Sequence, residues 1–564
     1  MAINAATLWE VQTSGSDTNG GAFVPGLTAA NVYISTLSVS NSGGLSTNPL
    51  VTSTSYNFLP RDIGHYAYIK KNVASWTPGW YAITGVVGSG AMLCASIGNS
   101  TQYFSGVNVS GGVTTSSPTI VNTVAGCATT ASPTGGMWSI DYSQSTVIDV
   151  NDIVAASTTT FSSAALKGTS STCKNYVGNT INITSGTGFT LGRYQIVSEN
   201  GAGVMTVDRS WVATSGTASG KLGGPLANPG FMQSQKVTSN GAFIKAGTYI
   251  ISSSGVNTSS GCLNDTVGGA AATYGTTIGY NSVRCDSGTP PVLQLASGVR
   301  SGVIIRIASS FCSFENITCD GNNAFRGRGF LLFNVRAVTR SCNAYNCTSG
   351  GFVGSSGGTA ISCVATGCSG VAAFSASILN IAHCEAYNNM IDGFNVSAQS
   401  VVKCLSYNNI GAGFVIGVLN ITEGCIAYNN TKNGFENTSA HGMYVSCVAE
   451  NNGGSGFYAS LSTLNYFRNC AAYNNTVNYV PLTSQRLENC ISGSTSFFVN
   501  ASGGNFAPNN NISGGLLLQG NGYPTIDPKG TTLMYPNIGL QHQELTANNI
   551  ASGVWNYSNR TRTG

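Results

Sequence analysis

The sequence predicts an all-β chain. From about residue 244 to about residue 500 it forms a right-handed, single-stranded parallel β-helix, preceded by small duplicated β-modules. Three observations carry this reading. Charged residues make up only 8% of the 564, and glycine reaches 72, against roughly 25% charged in an average globular domain. Eight cysteines recur at intervals of 20 to 23 residues. An Asn-Asn pair and a Gly-Phe pair keep step with them.

The composition fixes the class. Apolar content is ordinary at 42%, and Ser, Thr, Asn and β-branched residues abound. That mixture suits strands broken by tight turns. Runs of Glu, Lys and Leu at helical spacing are missing. The formal charge of +4 is spread thinly. Arg306, Arg326, Arg328, Arg336 and Arg340 fall close together, but no dense basic stripe with interleaved aromatics surrounds them. They read as exposed turn residues, and nucleic acid is not an expected partner. The N-terminus has no secretory-signal pattern. No stretch approaches 18 apolar residues, so no membrane span is expected. Assembly in a cytoplasm follows as the expectation.

The cysteines are Cys342, Cys363, Cys384, Cys404, Cys425, Cys447, Cys470 and Cys490. A constant period of this length marks a structural repeat. Residues 384–394 read CEAYNNMIDGF, 404–414 CLSYNNIGAGF, 425–435 CIAYNNTKNGF and 447–457 CVAENNGGSGF; 470–475 begin another as CAAYNN. About 21 residues cannot bury their own apolar face, but stacked copies can. In a parallel stack each strand pairs with its equivalent about 4.8 Å away, so identical residues lie one above another. Cys and the residue two further on point the same way. Both are placed inside with the Phe of Gly-Phe, forming a structural ladder of buried, free thiols. Stacked asparagines exchange amide hydrogen bonds. The Gly before Phe is expected at positive φ. Leucine-rich repeats need leucines that are absent here. No complete zinc-ligand set accompanies the cysteines, so neither metal nor cofactor is expected.

These coils resemble the pectate-lyase-like β-helix repeats of phage tailspike and other virion proteins and of surface adhesins, and 244–251 (IKAGTYII) resembles their opening strand. The resemblance implies fold far more than function.

Two upstream segments repeat. Residues 63–69 (IGHYAYI), 77–84 (TPGWYAIT) and 91–94 (AMLC) match 177–183 (VGNTINI), 190–197 (TLGRYQIV) and 204–207 (VMTV) at an offset of 113 or 114. Each copy reads as short strands with Gly turns. Residues 9–23 and Asp208-Arg209 resemble phage structural proteins. The expected organisation is an N-terminal arm (1–50), a first β-module (51–125), a linker with the second copy (126–225), the β-helix (226–500) and a C-terminal cap and tail (501–564). The N-terminal half either attaches a rod to a particle or merely protects the first coil. After residue 500 the coils stop. Residues 513–519 read as a last strand, 538–542 as part of a cap over the open end, and 554–563 as a tail that docks on a partner or frays.

With Cys and Ala inside, the outward residues include Val364, Leu405, Ile426, Val448, Ala471 and Ile491, with Asn343 and Glu385 as exceptions. The next outward column is Tyr345, Tyr387, Tyr407, Tyr428 and Tyr473, with Glu450 in one coil. Such an apolar, aromatic stripe asks for cover. A trimer interface, a glycan platform and a loop of the same chain are the three candidates. Swapped parity would instead make the tyrosines core.

Signals for catalysis are sparse. Glycoside hydrolysis needs two carboxylates at a defined separation, and Glu315 with Asp320, Glu385 with Asp392, Glu423 with Glu436, and Glu450 form no column of acids in adjacent coils. His65, His383, His441 and His542 are scattered, and 216–222 (GTASGKL) misses the phosphate-loop pattern. Catalytic residues are therefore unassigned. The expected function is a structural bacteriophage virion protein: a spike, tail fibre or head decoration. It would form a rigid homotrimeric rod, meet other virion proteins through its N-terminal half or C-terminal tail, and touch host surface polysaccharide. The alternatives are a tailspike depolymerase, acting as a glycoside hydrolase or polysaccharide lyase, and a bacterial surface adhesin.

Overall fold

The computed structural model describes residues 8–21, 147–166, 179–199, 203–211, 215–236 and 240–251, most of 263–518, and the strand backbones of the first barrel below. Residues 538–542 and 554–563, as well as His65, His441 and His542, lie outside them. The chain divides into two units. The first comprises residues 1–249, 265–292 and 311–316, and the second 250–264, 293–310 and 317–564.

The first unit holds two closed six-stranded antiparallel barrels. One is built from Val32–Val39, Leu50–Ser53, Tyr66–Ile69, Gly79–Val86, Ala91–Ser96 and Gly136–Asp141. The other uses Val147–Ala155, Thr160–Ser162, Thr180–Gly186, Gly192–Glu199, Val204–Val207 and Thr217–Gly223. Both close in the same ring order: first, second, fifth, fourth, third, sixth. The repeated motifs fall on the third, fourth and fifth strands of each ring. Trp211 fills the second barrel, with the rings of Phe161, Phe189 and Tyr194 packed around it at 5.3–5.6 Å.

These boundaries differ from those expected. The first barrel begins inside the segment read as an arm and ends inside the segment read as a linker, because its outer strands lie beyond the repeated motifs. The start of the chain is a sheet rung as well. Leu8–Val11 pairs in parallel with Gly241–Lys245, which pairs with Gly275–Tyr280, and that strand with Cys312–Glu315. Trp9 and Val11 are fully buried there, and Trp9 Nε1 donates to Asn240 Oδ1 at 3.1 Å.

The second unit is a parallel β-solenoid of three sheets. In a typical coil Glu385–Tyr387 lies in one sheet, Phe394–Val396 in the next and Ser400–Val402 in the third. Each strand pairs in register with its equivalent one coil on: Ala386 meets Ser406, Phe394 meets Phe414, and Val401 meets Thr422. The last coil strand is Ile491–Ser492. Phe498–Asn500 leaves the stack and pairs antiparallel with Asn505–Pro508.

Three side-chain columns hold the coils in register. The second Asn of the pairs at 388–389, 408–409, 429–430 and 451–452 is buried, and its amide bonds the next: Asn389 to Asn409 at 2.8 Å, Asn409 to Asn430 at 2.9 Å, Asn430 to Asn452 at 3.0 Å and Asn452 to half-buried Asn475 at 2.8 Å. Each Oδ1 also accepts the backbone N–H of the preceding ladder Asn. Phe330, Phe352, Phe374, Phe394, Phe414, Phe435 and Phe457 stack at 4.7–4.9 Å. The eight cysteines lie as thiols, without disulfides, at the corner before the tyrosine-bearing strands, buried except for half-buried Cys490. Burial pushes the thiols of Cys342, Cys384, Cys404, Cys425 and Cys470 up.

The positive-φ corners are not where they were expected. They sit at the first Asn (Asn388 at 53°, Asn408 at 56°, Asn429 at 50°) and at the residue before Cys (His383 at 55°, Lys403 at 53°). The glycine before Phe is needed for close approach instead. A Cβ on Gly413 would lie 2.6 Å from the Gly434 carbonyl and 2.9 Å from Asn430 Nδ2. Asparagine tolerates the left-handed corner because its side chain bonds locally.

Asn430→Ala will take the acceptor from the buried Asn409 backbone N–H and from one amide hydrogen of Asn409. It should lower the unfolding free energy by about 3 kcal/mol, from about 1–3 kcal/mol for each buried unsatisfied group. Asn429→Gly at the exposed neighbour should stay within about 1 kcal/mol of the parent. Urea denaturation of both variants checks this, and equal losses would contradict the ladder's role.

Candidate functional site

The outer face of the tyrosine-bearing sheet stands apart chemically. Its strands place Tyr345, Thr366, Tyr387, Tyr407, Tyr428, Glu450 and Tyr473 in one outward column. Beside it run Asn343, Val364, Glu385, Leu405, Ile426, Val448, Ala471 and Ile491. Cys and Ala point inward and Tyr outward.

The lower part of this face is covered by the same chain. Residues 494–518 contain no Asp, Glu, Lys or Arg and fold back as a strap. Phe497, Phe498, Ala501, Phe506 and Leu518 pack on Leu405, Ile426, Tyr428, Val448 and Ala471, with Tyr407, Tyr473 and Ile491 at the margin. Phe506 meets Tyr407 at 5.4 Å and Tyr428 at 5.7 Å, and Phe497 meets Tyr473 at 6.1 Å. Gly515–Leu518, read from sequence as a strand, is a helical turn, and Leu518 is buried in this cluster. Three of the five tyrosines offered as a glycan or trimer surface are therefore under the strap. An outward apolar column gains about 25 cal/mol for each Å² removed from water, and the nearby chain supplies that cover.

Glu450 fixes the strap. It takes the place of a tyrosine, is fully buried, and accepts hydrogen bonds from Ser496 Oγ at 2.6 Å and Phe497 N at 2.9 Å. Burial raises its carboxyl above the usual range, and these two bonds oppose the rise. The sequence signal was present: one acid in a tyrosine column, and aromatics in an otherwise Ser-, Gly- and Asn-rich segment.

Tyr345, Thr366, Tyr387 and Glu385 lie on coils beyond the strap cluster and are partly exposed. Tyr387 stacks on Tyr407 at 5.0 Å, continuing the covered column outward. Burial raises Glu385's carboxyl, against a hydrogen bond from the Tyr407 hydroxyl; the Tyr387 hydroxyl bonds Thr366. Burial, with Glu385's charge nearby, pushes the Tyr407 phenol up.

The other acids are dispersed. Asp320 accepts from Gln294 Nε2 at 2.7 Å, the Asn322 backbone at 2.9 Å and Asn346 Nδ2 at 3.3 Å. Asp392 accepts from Ala412 N and Asn395, Glu436 from Asn433, and buried Glu315 from Ser313. Glu423 lies in a different sheet from Glu436. Among the described residues there is no cluster of three or more His, Cys, Asp or Glu able to hold a metal, and no helix is long and apolar enough to cross a membrane.

No family model matches the chain, and no curated protein does. Solved structures do. A rhamnogalacturonan lyase aligns at 13% identity over 59% of this chain and 94% of its own, with a TM-score of 0.40. The pectate lyase Pel9A aligns at 13% over 56% and 90%, with 0.38. The A-module of the Azotobacter vinelandii mannuronan C-5 epimerase AlgE4 aligns at 15% over 45% and 84%, with 0.33. The likeness is one of fold.

Two outcomes follow. Glu450→Ala removes both strap bonds. At about 1.5–3 kcal/mol for a hydrogen bond to a charged group, it should speed hydrogen exchange in 494–518 by about 100-fold while leaving the coil ladders unchanged. Glu385 has a raised folded pKa, so the stability it contributes is fully present below its unfolded value, near 4.3, and is lost as pH rises through the folded one. Glu385→Gln should therefore gain in melting temperature relative to the parent between pH 4 and pH 8. A difference that shrinks over that range would contradict the burial of this carboxyl.

Proposed function

We propose that this chain is a non-enzymatic, glycan-binding solenoid of a bacteriophage particle, serving as a spike, tail fibre or head decoration. The observation that carries the glycan part is the open end of the tyrosine column: Tyr345 and Tyr387 stay partly exposed where the strap cluster stops. Tyrosine rings stack on sugar faces and offer a hydroxyl at the wet end. The column is held by ladders, so the platform is rigid before a ligand arrives, which lowers the entropy lost on binding. Support for the viral setting is the resemblance of the Cys-x-Ala-Tyr-Asn-Asn coils and of residues 9–23 to virion proteins. In this reading the chain assembles as a homotrimer in the host cytoplasm, is located in the virion, and meets other virion proteins through the N-terminal barrels or the C-terminal tail. With the strap on part of the tyrosine column, trimer contacts fall to other faces.

A depolymerase is the second reading, favoured by one observation: Glu385, a partly buried carboxyl beside Tyr407, lies on the same face. Hydrolysis calls for a second carboxylate at a set distance. The acids given partners above are each engaged away from Glu385, which favours binding over cleavage.

Purified full-length chain should bind host capsule or lipopolysaccharide in calorimetry without releasing reducing ends. Tyr345→Ala with Tyr387→Ala should weaken binding by about 10-fold or more, since about 1.4 kcal/mol is one factor of ten. New reducing ends would establish the enzymatic reading. Unchanged affinity in the double variant would remove this face from the function.

A further inference from the structure

We infer that the open stretch beyond the strap takes an uncharged polysaccharide, lying along the coil stack, rather than a polymer of uronic acids. This rests on the glycan-binding reading and specifies its ligand class. The stretch runs from Asp320 past Tyr345 and Thr366 to Tyr387, in register one above another. That is three coil steps, about 14 Å at about 4.8 Å per step. Below it the column passes to Tyr407 and its contact with Phe506, so the strap sets the lower limit.

The chemistry of the stretch is uniform. Two tyrosine rings flank a coil where Thr366 replaces the ring, which leaves stacking surface on both sides of a small polar residue. Asn343, whose amide donates to Thr318 Oγ1 at 3.2 Å, adds neutral hydrogen-bonding groups. The strands Thr318–Asp320, Asn343–Tyr345, Val364–Thr366 and Glu385–Tyr387 carry no lysine or arginine. Their charged groups are the carboxyls of Asp320 and Glu385, one at each end of the stretch. Asp320 is held by Gln294, Asn322 and Asn346, and Glu385 by Tyr407. Off the strands, Lys403 and His383, whose charged form is disfavoured by burial and by Lys403, stand in the corner column before the cysteines, and Arg326 stands in the turn after Thr318–Asp320. A polyuronate laid along these coils would set a carboxylate on nearly every sugar against two fixed acids, with no cation projecting from the strands to offset them. Like charges brought together reject a partner strongly. A neutral sugar chain keeps the ring stacking and hydroxyl bonding without that repulsion.

The test is a glycan array probed with the full chain, containing neutral glucan and mannan oligosaccharides, oligogalacturonate and alginate oligomers. It is repeated with Tyr345→Ala/Tyr387→Ala and with Glu385→Lys, each variant checked for a native circular dichroism spectrum. The expected hits are neutral oligosaccharides, weakened at least tenfold in the tyrosine variant. Glu385→Lys should shift the preference towards the acidic oligomers by at least tenfold at low salt. Acidic hits that depend on the two tyrosines would overturn the ligand class while leaving glycan binding intact. Neutral hits indifferent to the tyrosine variant would overturn the placement. An array with no hit at all would remove the glycan reading itself, and this inference with it.

Discussion

The coils between residues 384 and 475 depend on an amide ladder. Asn389, Asn409, Asn430, Asn452 and Asn475 are linked amide to amide from each coil to the next. A buried amide without a partner is expensive. The coils must therefore stack in one register, with the same residue type at the same corner. The Phe stack and the thiol column fill the space inside that frame but bond far less directionally. The left-handed first Asn and the bare Gly before Phe are what the frame demands of the backbone around it.

A frame fixed from inside leaves its outer surfaces free to diverge. On the tyrosine-bearing face the outward residues change from polar near Asp320 to apolar from Leu405 downward. The strap answers that change. Its aromatics sit where the column is most apolar, and Glu450 holds its start by two hydrogen bonds. A buried acid is tolerated there because both bonds favour its charged form. The face is thus divided into a closed segment that stabilises the chain and an open one available to a ligand.

The same division bears on the chemistry that this face can do. A solenoid backbone supplies none by itself, and activity belongs to the side chains placed on it. Here the acids are scattered over different sheets and engaged by different partners. The open surface offers rings, amides and hydroxyls on a rigid spacing. The duplicated barrels of the first unit add a second lesson. Two sequences that match only in three short motifs close into rings of identical strand order, because those motifs occupy the third, fourth and fifth strands in both.

The sequence by itself determined the solenoid. Cys, Ala, Asn and Phe at a constant interval can satisfy burial and hydrogen bonding only by lying atop one another, so the period was legible; the parity stayed open between tyrosines outside and tyrosines in the core until the structure placed Cys and Ala inside. It also held the duplication, though not the outer barrel strands, whose alternation lies outside the shared motifs. It did not decide where the corner strain falls: the Asn-Asn pair and the glycine are equally plausible sites until the close approach of Gly434 to Gly413 is known. Nor did it decide which tyrosines meet water. That depended on Phe497 and Phe506, far along the chain from the residues they cover, and periodicity carries no information about a segment that leaves the repeat. Only the tertiary structure brings the strap onto Tyr407, Tyr428 and Tyr473 and stops it short of Tyr387, because burial of an outward face is settled by whichever part of the chain can reach it.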